Sequence, residues 1–251
     1  MITRRQILGA AVAGTAGLTM SRDAKAEEAP AVKTVFLTSD DGPNAATATI
    51  MDIAERQKVP LTLFMIGMNA AADKGHRSLL ERAHDSEWIT VGNHSFSHCS
   101  GRYRRCYHDP MSLVSDFERA NSELGLESRP VPARGPGRDV WRLPDLRMDD
   151  HAISATETRV EEAAYDALFA DGFNLYGWDI EWSHRRGVPR QSSSKMVDYL
   201  TGPGLHTRRP NKVVMLMHDV MIKNARGPSE LNRIIEGVRK RGATFGRLSE
   251  Y

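Results

Sequence analysis

The sequence predicts an α/β fold with about seven parallel strands joined by helical crossovers. Two observations predict it. Short apolar runs alternate with stretches of helical periodicity along the chain. Ionisable residues also recur just past the apolar runs, where parallel strands end at a working face. A barrel and an open doubly wound sheet both satisfy these observations.

Lys33–Ser39 (KTVFLTS) reads as the first strand. Asn44 is placed to cap a helix with Ala46, Ile50, Ile53 and Ala54 on its apolar face. Leu61–Gly67 (LTLFMIG) is a second strand, followed by a polar helix over about 71–86. Trp88–Asn93 is a third strand. Asp109-Pro110 starts a helix that carries Leu113, Phe117, Ala120 and Leu124 on one face. Val131–Arg134 is a fourth strand, and Val160, Ala164, Ala167 and Leu168 mark another helical face. Asn174–Trp178, Val213–His218 and Ala243–Phe245 complete the set of strands. A helix opened by Ser229, with Leu231, Ile234, Ile235 and Val238 inward, lies between the last two. The stretches 135–159 and 183–211 read as long loops, the walls of a substrate groove.

The composition, 40% hydrophobic and 26% charged over 251 residues, is that of a globular domain. It excludes disorder as the general state, and no run of 18 apolar residues suggests a stable membrane span. The first 26 residues are set aside. Arg4-Arg5 leads into the apolar stretch 7–18, and Ala24-Lys25-Ala26 offers a cleavage site, as in a twin-arginine export signal. The expected mature protein is one domain, 27–251, in the periplasm or outside the cell. Without residues 1–26 the chain holds 30 basic and 31 acidic residues, net −1. It therefore has no global basic field, and no nucleic-acid partner is expected. The only two cysteines, Cys99 and Cys106, are spaced to permit a disulfide in an oxidising compartment or to remain two thiols.

Asp40-Asp41-Gly42-Pro43 sets two carboxylates where a strand becomes a turn. One carboxylate there has the chemistry to hold a metal and the other to handle a proton. His94-Ser95-Phe96-Ser97-His98 spaces two imidazoles four residues apart, as on one side of a helical turn. Two histidines and a carboxylate leave open positions on a metal, as a catalytic site requires. Arg134, Asp179, Glu181 and His218 follow or end three further strands.

Thr38-Ser39-Asp40-Asp41-Gly42-Pro43, His94-Ser95-x-x-His98, Arg134-x-Pro136 and Leu216-x-His218 together resemble the polysaccharide deacetylases of the NodB-homology type, the family-4 carbohydrate esterases. The ordered set spans about residues 33–250. The resemblance implies a distorted (β/α) barrel. It implies Asp40 as general base, Asp41, His94 and His98 as ligands of a divalent metal, and Arg134 as the partner that orients Asp40. It implies His218 as general acid and Leu216 as a wall of the acetyl pocket. In the family's fourth motif an aspartate tunes the acid histidine and a tryptophan lines the pocket; here Asp179 and Glu181 compete for the first role. Zinc is the favoured metal, with cobalt or nickel as substitutes. An acetylated carbohydrate is the expected partner.

The chain departs from the family's pattern in places. Ser39 stands where an apolar residue is usual, and Arg134-Gly135-Pro136-Gly137-Arg138 lacks the aromatic that follows the proline. Backbone N–H groups near Pro136 and Gly137 still serve an oxyanion. Trp182 is the aromatic expected in the groove, with Trp178 in the core. Arg102, Arg104 and Arg105, beside Tyr103 and Tyr107, read as a solvated loop or a grip on an anionic polymer. His151, His184 and His206 read as surface residues. The leading function is removal of acetyl groups from an N-acetylated glycan: peptidoglycan, a chitin-like oligomer or an exopolysaccharide. The alternatives are an O-acetyl esterase on xylan-type polymers, a small-amide hydrolase, and a glycan-binding protein that has lost catalysis.

Overall fold

A computed structural model describes residues 32–251; the expected export signal lies outside them. Its elements in chain order are β1 (Thr34–Gly42), α1 (Thr47–Gln57), β2 (Leu61–Met65), α2 (Gly67–Ala70), α3 (Lys74–Asp85), β3 (Ile89–Asn93), α4 (Tyr103–Tyr107), α5 (Pro110–Leu124) and β4 (Val131–Ala133). There follow β5 (Trp141–Leu143), β6 (Leu146–Met148), α6 (Ala155–Ala170), β7 (Phe173–Leu175), β8 (Ile180–Glu181), β9 (His184–Arg185), β10 (Val188–Pro189) and α7 (Ser193–Thr201). The chain ends with β11 (Lys212–His218), α8 (Gly227–Lys240) and β12 (Thr244–Phe245).

The main sheet runs β6-β5-β7-β4-β3-β2-β1-β11-β8, with β12 also paired to β1. All its pairings are parallel except those of the β5–β6 hairpin. The curl of this sheet has a local cause. β7 pairs with β4 through Leu175, and β8, a few residues on, pairs with β11 through Ile180. One short segment thus holds both ends of the parallel run, which bends the sheet into the expected distorted (β/α) barrel. The handover falls at Gly177, where a Cβ would lie 2.0 Å from the Asp139 carboxylate. That carboxylate takes the Trp178 N–H at 2.9 Å, so the predicted fifth strand stops short of Trp178.

Alternation along β1 assigns its two faces. Val35 and Leu37 join the core beneath the helices, while Phe36 joins Phe64, Trp141, Tyr176 and Val214 inside the curl. Thr38 and Asp40 continue the inner face toward the strand ends.

Helix starts follow local chemistry. Asp109 caps α5 by accepting the Ser112 N–H, with Pro110 in the first turn, as the sequence predicts. α3 begins at Lys74 because Asp73 accepts the His76 N–H, a cap that shortens the predicted helix. Asn44 shapes the turn before α1 by accepting the Ala46 N–H, whereas the cap position itself is Ala46. α8 opens at Gly227 with Pro228 rather than at Ser229. On α6 Ala164 and Leu168 are buried as expected, but Val160 is exposed and Glu161 takes the inward place in its turn. Arg138 explains it: two of its nitrogens donate to Glu161 at 2.6 and 2.7 Å, so the charge is buried as a bidentate pair. The two predicted long loops carry structure of their own, the β5–β6 hairpin in one and the β9–β10 hairpin with α7 in the other. Cys99 and Cys106 form a disulfide with their Cα atoms 5.5 Å apart.

Candidate active site

The reactive side chains gather at or just past the C-terminal ends of β1, β3, β4, β8 and β11. Consecutive strand residues normally face opposite ways, yet Asp40 and Asp41 both line one pocket. The ladder between β1 and β2 slips between Asp40 and Gly42, and Asp41 takes φ 75°. This local bulge re-aims the second carboxylate. Gly42 fits the same turn because a Cβ there would stand 2.8 Å from the Asp219 carboxylate. Asp219 is fully buried beneath the turn, where it accepts the hydroxyls of Ser39, at 2.6 Å, and Thr47. Burial, against those hydrogen bonds, pushes its carboxyl up to about 6. The polar residue at 39 thus has a partner.

The two histidines converge by a different route from the expected helical turn. His94 leaves β3 in a tight irregular bend in which Ser95 and His98 have positive φ. Asn93 Oδ1 takes the Ser95 N–H at 2.7 Å, and Ser95 Oγ takes the His98 N–H at 2.9 Å. His94 Nδ1 lies 2.8 Å from the Arg134 carbonyl, which turns Nε2 toward the carboxylates. Asp41 Oδ1 then lies 3.6 Å from His94 Nε2 and 3.3 Å from His98 Nε2.

That oxygen is buried and has no hydrogen-bond partner among the described residues. Three donor atoms converge within 4.8 Å, and a divalent cation suits such a set. Burial first, then His94, pulls the His98 imidazole below its ordinary value, which favours the neutral form that ligates metal.

Arg134 is wholly buried. Nη1 donates to Asp40 Oδ1 at 2.9 Å and to Thr38 Oγ1 at 2.7 Å. Nε and Nη2 donate to the Tyr176 and Gly177 carbonyls at 2.9 and 2.7 Å. Its guanidinium lies over the Phe64 ring. Asp40 is therefore fixed through one oxygen, and the other lies 3.7 Å from His94 Nε2.

His218 stands across from this group, in register with Asp40 on the paired strand. Its Nδ1 is buried without a partner among the described residues. His184, expected at the surface, packs edge-on against it with ring centroids 5.2 Å apart. The His184 Nδ1 accepts the Gly187 N–H at 3.0 Å within the β9–β10 hairpin. Burial, then His218, lowers the His184 pKa.

The pocket these groups share has a volume of about 250 Å³, and Tyr103, Gly137, Trp178, Glu181 and Leu216 complete its lining. Other expected residues fall elsewhere. Trp182 is fully buried and donates to the Gln191 carbonyl, so the groove aromatic is Trp178. Alternation is the reason: Glu181 faces the pocket, so its neighbour faces the core. Pro136 is buried, and its carbonyl accepts the Tyr107 hydroxyl.

Asp179 spans two backbone N–H groups, of Arg208 and Val214, both at 2.8 Å, and burial pushes its carboxyl up to about 6. It braces the loop before β11, whereas Glu181 lines the pocket with His218. His151 and His206 are exposed, as expected. Arg102 and Arg105 line a separate cavity of about 390 Å³ that contains none of the candidate ligands. Sequence reasoning missed Tyr103, His184 and Asp219 as site residues. Asp219 carried one signal, its place directly after His218.

The sequence profile described as polysaccharide deacetylase matches residues 27–156. The chain is 36% identical over 188 residues to a chitooligosaccharide deacetylase of Rhizobium leguminosarum bv. trifolii, covering 74% of this chain and 72% of that protein. It is 22% identical over 229 residues to a peptidoglycan-N-acetylglucosamine deacetylase of Bacillus cereus, covering 87% and 70% respectively. Among solved structures, a CE4 esterase of Streptococcus mutans superposes with a TM-score of 0.63 at 26% identity, over 87% of each chain.

Proposed function

Because the chain belongs to the polysaccharide deacetylase family of NodB homology, we propose that it is a metal-dependent hydrolase that removes acetyl groups from an N-acetylated glycan. One observation carries the reading: a carboxylate locked to a buried arginine, a separate Asp–His–His donor set and an opposed histidine line one pocket. Asp41, His94 and His98 would hold the cation, and the mixed N/O donors suit zinc, with cobalt or nickel as substitutes. When bound, a divalent cation supplies Lewis acidity that acidifies water and polarises an acyl oxygen.

The chain's own residues divide the remaining work. Asp40 takes a proton from the attacking water. The Arg134 guanidinium binds Oδ1 and leaves Oδ2 for that proton. Gly137 lines the pocket, and its N–H has no acceptor among the described residues, which leaves it for the developing oxyanion. His218, across the pocket, donates a proton to the departing nitrogen, which leaves as an amine rather than as an amide anion. Glu181 lines the same pocket. Leu216 and Trp178 give the acetyl group and the sugar an apolar wall.

The related chitooligosaccharide and peptidoglycan deacetylases support N-acetylglucosamine polymers as the substrate class. The test is acetate release from a panel of chitin oligomers, peptidoglycan and acetylated xylan. Release from the first two ahead of xylan is expected, and release from xylan alone contradicts the N-acetyl assignment. We infer export as well, on Arg4-Arg5 and Ala24-Lys25-Ala26. N-terminal sequencing of the periplasmic protein is expected to begin near Glu27, and full-length protein confined to the cytosol contradicts it.

A further inference from the structure

Between His98 and α5 the chain makes a loop closed by the Cys99–Cys106 disulfide, and its short helix α4 begins with Tyr103. This ring is a wall of the pocket. It stands perpendicular to His98, with centroids 5.7 Å apart. It also packs against Gly137, where a Cβ would come within 3.0 to 3.2 Å of three ring atoms. Gly137, at φ +63°, is the residue that lets the ring approach so closely.

The loop is fastened on every side. Arg104 holds Glu157 through Nε and Nη2, at 3.0 and 2.8 Å, and His108 Nε2 meets the same carboxylate at 2.8 Å. Tyr107 is wholly buried and donates to the Pro136 carbonyl, one residue from Gly137. The Tyr103 side chain, in contrast, is half-buried, and its hydroxyl makes no hydrogen bond among the described residues. A rigidly presented ring with an open hydroxyl, facing a pocket that Trp178 also lines, suits a sugar. Pyranose faces carry C–H surface for aromatic rings and hydroxyls for the phenol.

We propose that Tyr103 is a specificity-determining residue that packs on a sugar ring of the glycan and hydrogen-bonds one of its polar groups, and that the disulfide-closed loop serves to present it. The proposal rests on the deacetylase reading for its substrate class, but it concerns binding and is testable without turnover.

The probe is an N-acetylglucosamine pentamer titrated calorimetrically into zinc-loaded protein carrying Asp40→Asn, which suppresses hydrolysis. Adding Tyr103→Phe weakens binding about 3-fold and Tyr103→Ala about 10-fold or more, the range of one net hydrogen bond and an aromatic contact. Zinc content stays unchanged. Replacing both cysteines by serine produces a loss similar to Tyr103→Ala and adds little on top of it.

Unchanged affinity in both tyrosine variants overturns the proposal, as does a fall in zinc content that parallels the fall in affinity, which would make the ring a support for His98. Full multiplicative loss from the cysteine and tyrosine changes overturns the presenting role of the loop. Binding that behaves as proposed, in a protein whose wild type releases no acetate, would overturn the deacetylase reading and leave the assignment of Tyr103 standing.

Discussion

The two walls of the pocket are built differently. On the wall from β1, β3 and β4, hydrogen bonds fix the reactive groups. Arg134 makes four to Asp40, Thr38 and two carbonyls, His94 is set by the Arg134 carbonyl, and Ser95 holds the His98 backbone. On the wall from β8, the β9–β10 hairpin and β11, His218 Nδ1 is buried and unpartnered, and His184 touches it only ring to ring. The first wall sets positions by direct bonds. The second places its rings by packing and leaves the His218 Nδ1 free of hydrogen bonds among the described residues. Substitutions on the first wall should therefore disturb metal, fold or the proton-accepting carboxylate, and those on the second should disturb rate with metal retained.

The adjacent carboxylates give the largest contrast. Asp41→Ala is expected to lose both metal and turnover. Asp40→Asn is expected to keep its metal and lose on the order of 10²–10⁴ in kcat, the usual share of a general base. Elemental analysis beside acetate release checks both, and metal loss in Asp40→Asn would show the roles exchanged. Across the pocket, His218→Ala is expected to keep metal and lose a comparable factor, most strongly with poor leaving groups. A loss independent of the leaving group would remove the general-acid role.

Arg134→Ala tests how far the first wall depends on its arginine. It leaves Asp40 buried and unpaired, so a loss of about 3–5 kcal/mol in unfolding free energy is expected by chemical denaturation. A loss under about 1 kcal/mol would show that water already reaches Asp40.

Much of this was legible in the chain. Asp40, Asp41, His94, His98, Arg134, Leu216 and His218 meet as read, because parallel strands deliver their C-terminal residues to one face whatever the detailed curl. The Asp109-Pro110 helix start was legible because a cap is a local event. The exchange of Trp178 and Trp182 was not, because strand facing turns on where Gly177 ends one pairing and Asp179 begins another, a matter of register. The buried Glu161 face of α6 escaped because its partner Arg138 is remote in sequence. Tyr103 escaped for the same reason: its position depends on Gly137 and on a disulfide that spacing only permits.

The smallest expected effect concerns Asp179, behind the second wall. Its carboxyl, at about 6 in the folded protein, lies above its ordinary 3.8. The folded state thus holds the proton more tightly, and the associated stability is complete below about pH 3.8 and is lost as pH rises through about 6. Asp179→Asn removes this dependence, with a constant cost for one lost backbone hydrogen bond. The stability advantage of wild type over the variant should shrink by up to about 3 kcal/mol between pH 4 and pH 7. A constant difference across that range, in denaturant titrations, would place Asp179 in contact with solvent.

The most direct test of the central claim is acetate release from an N-acetylglucosamine oligomer by wild-type protein whose metal content is measured at each stage. Release is expected with about one divalent ion bound, with loss of release after chelation and recovery when zinc is restored. Undiminished release from protein stripped of divalent metal would contradict that claim.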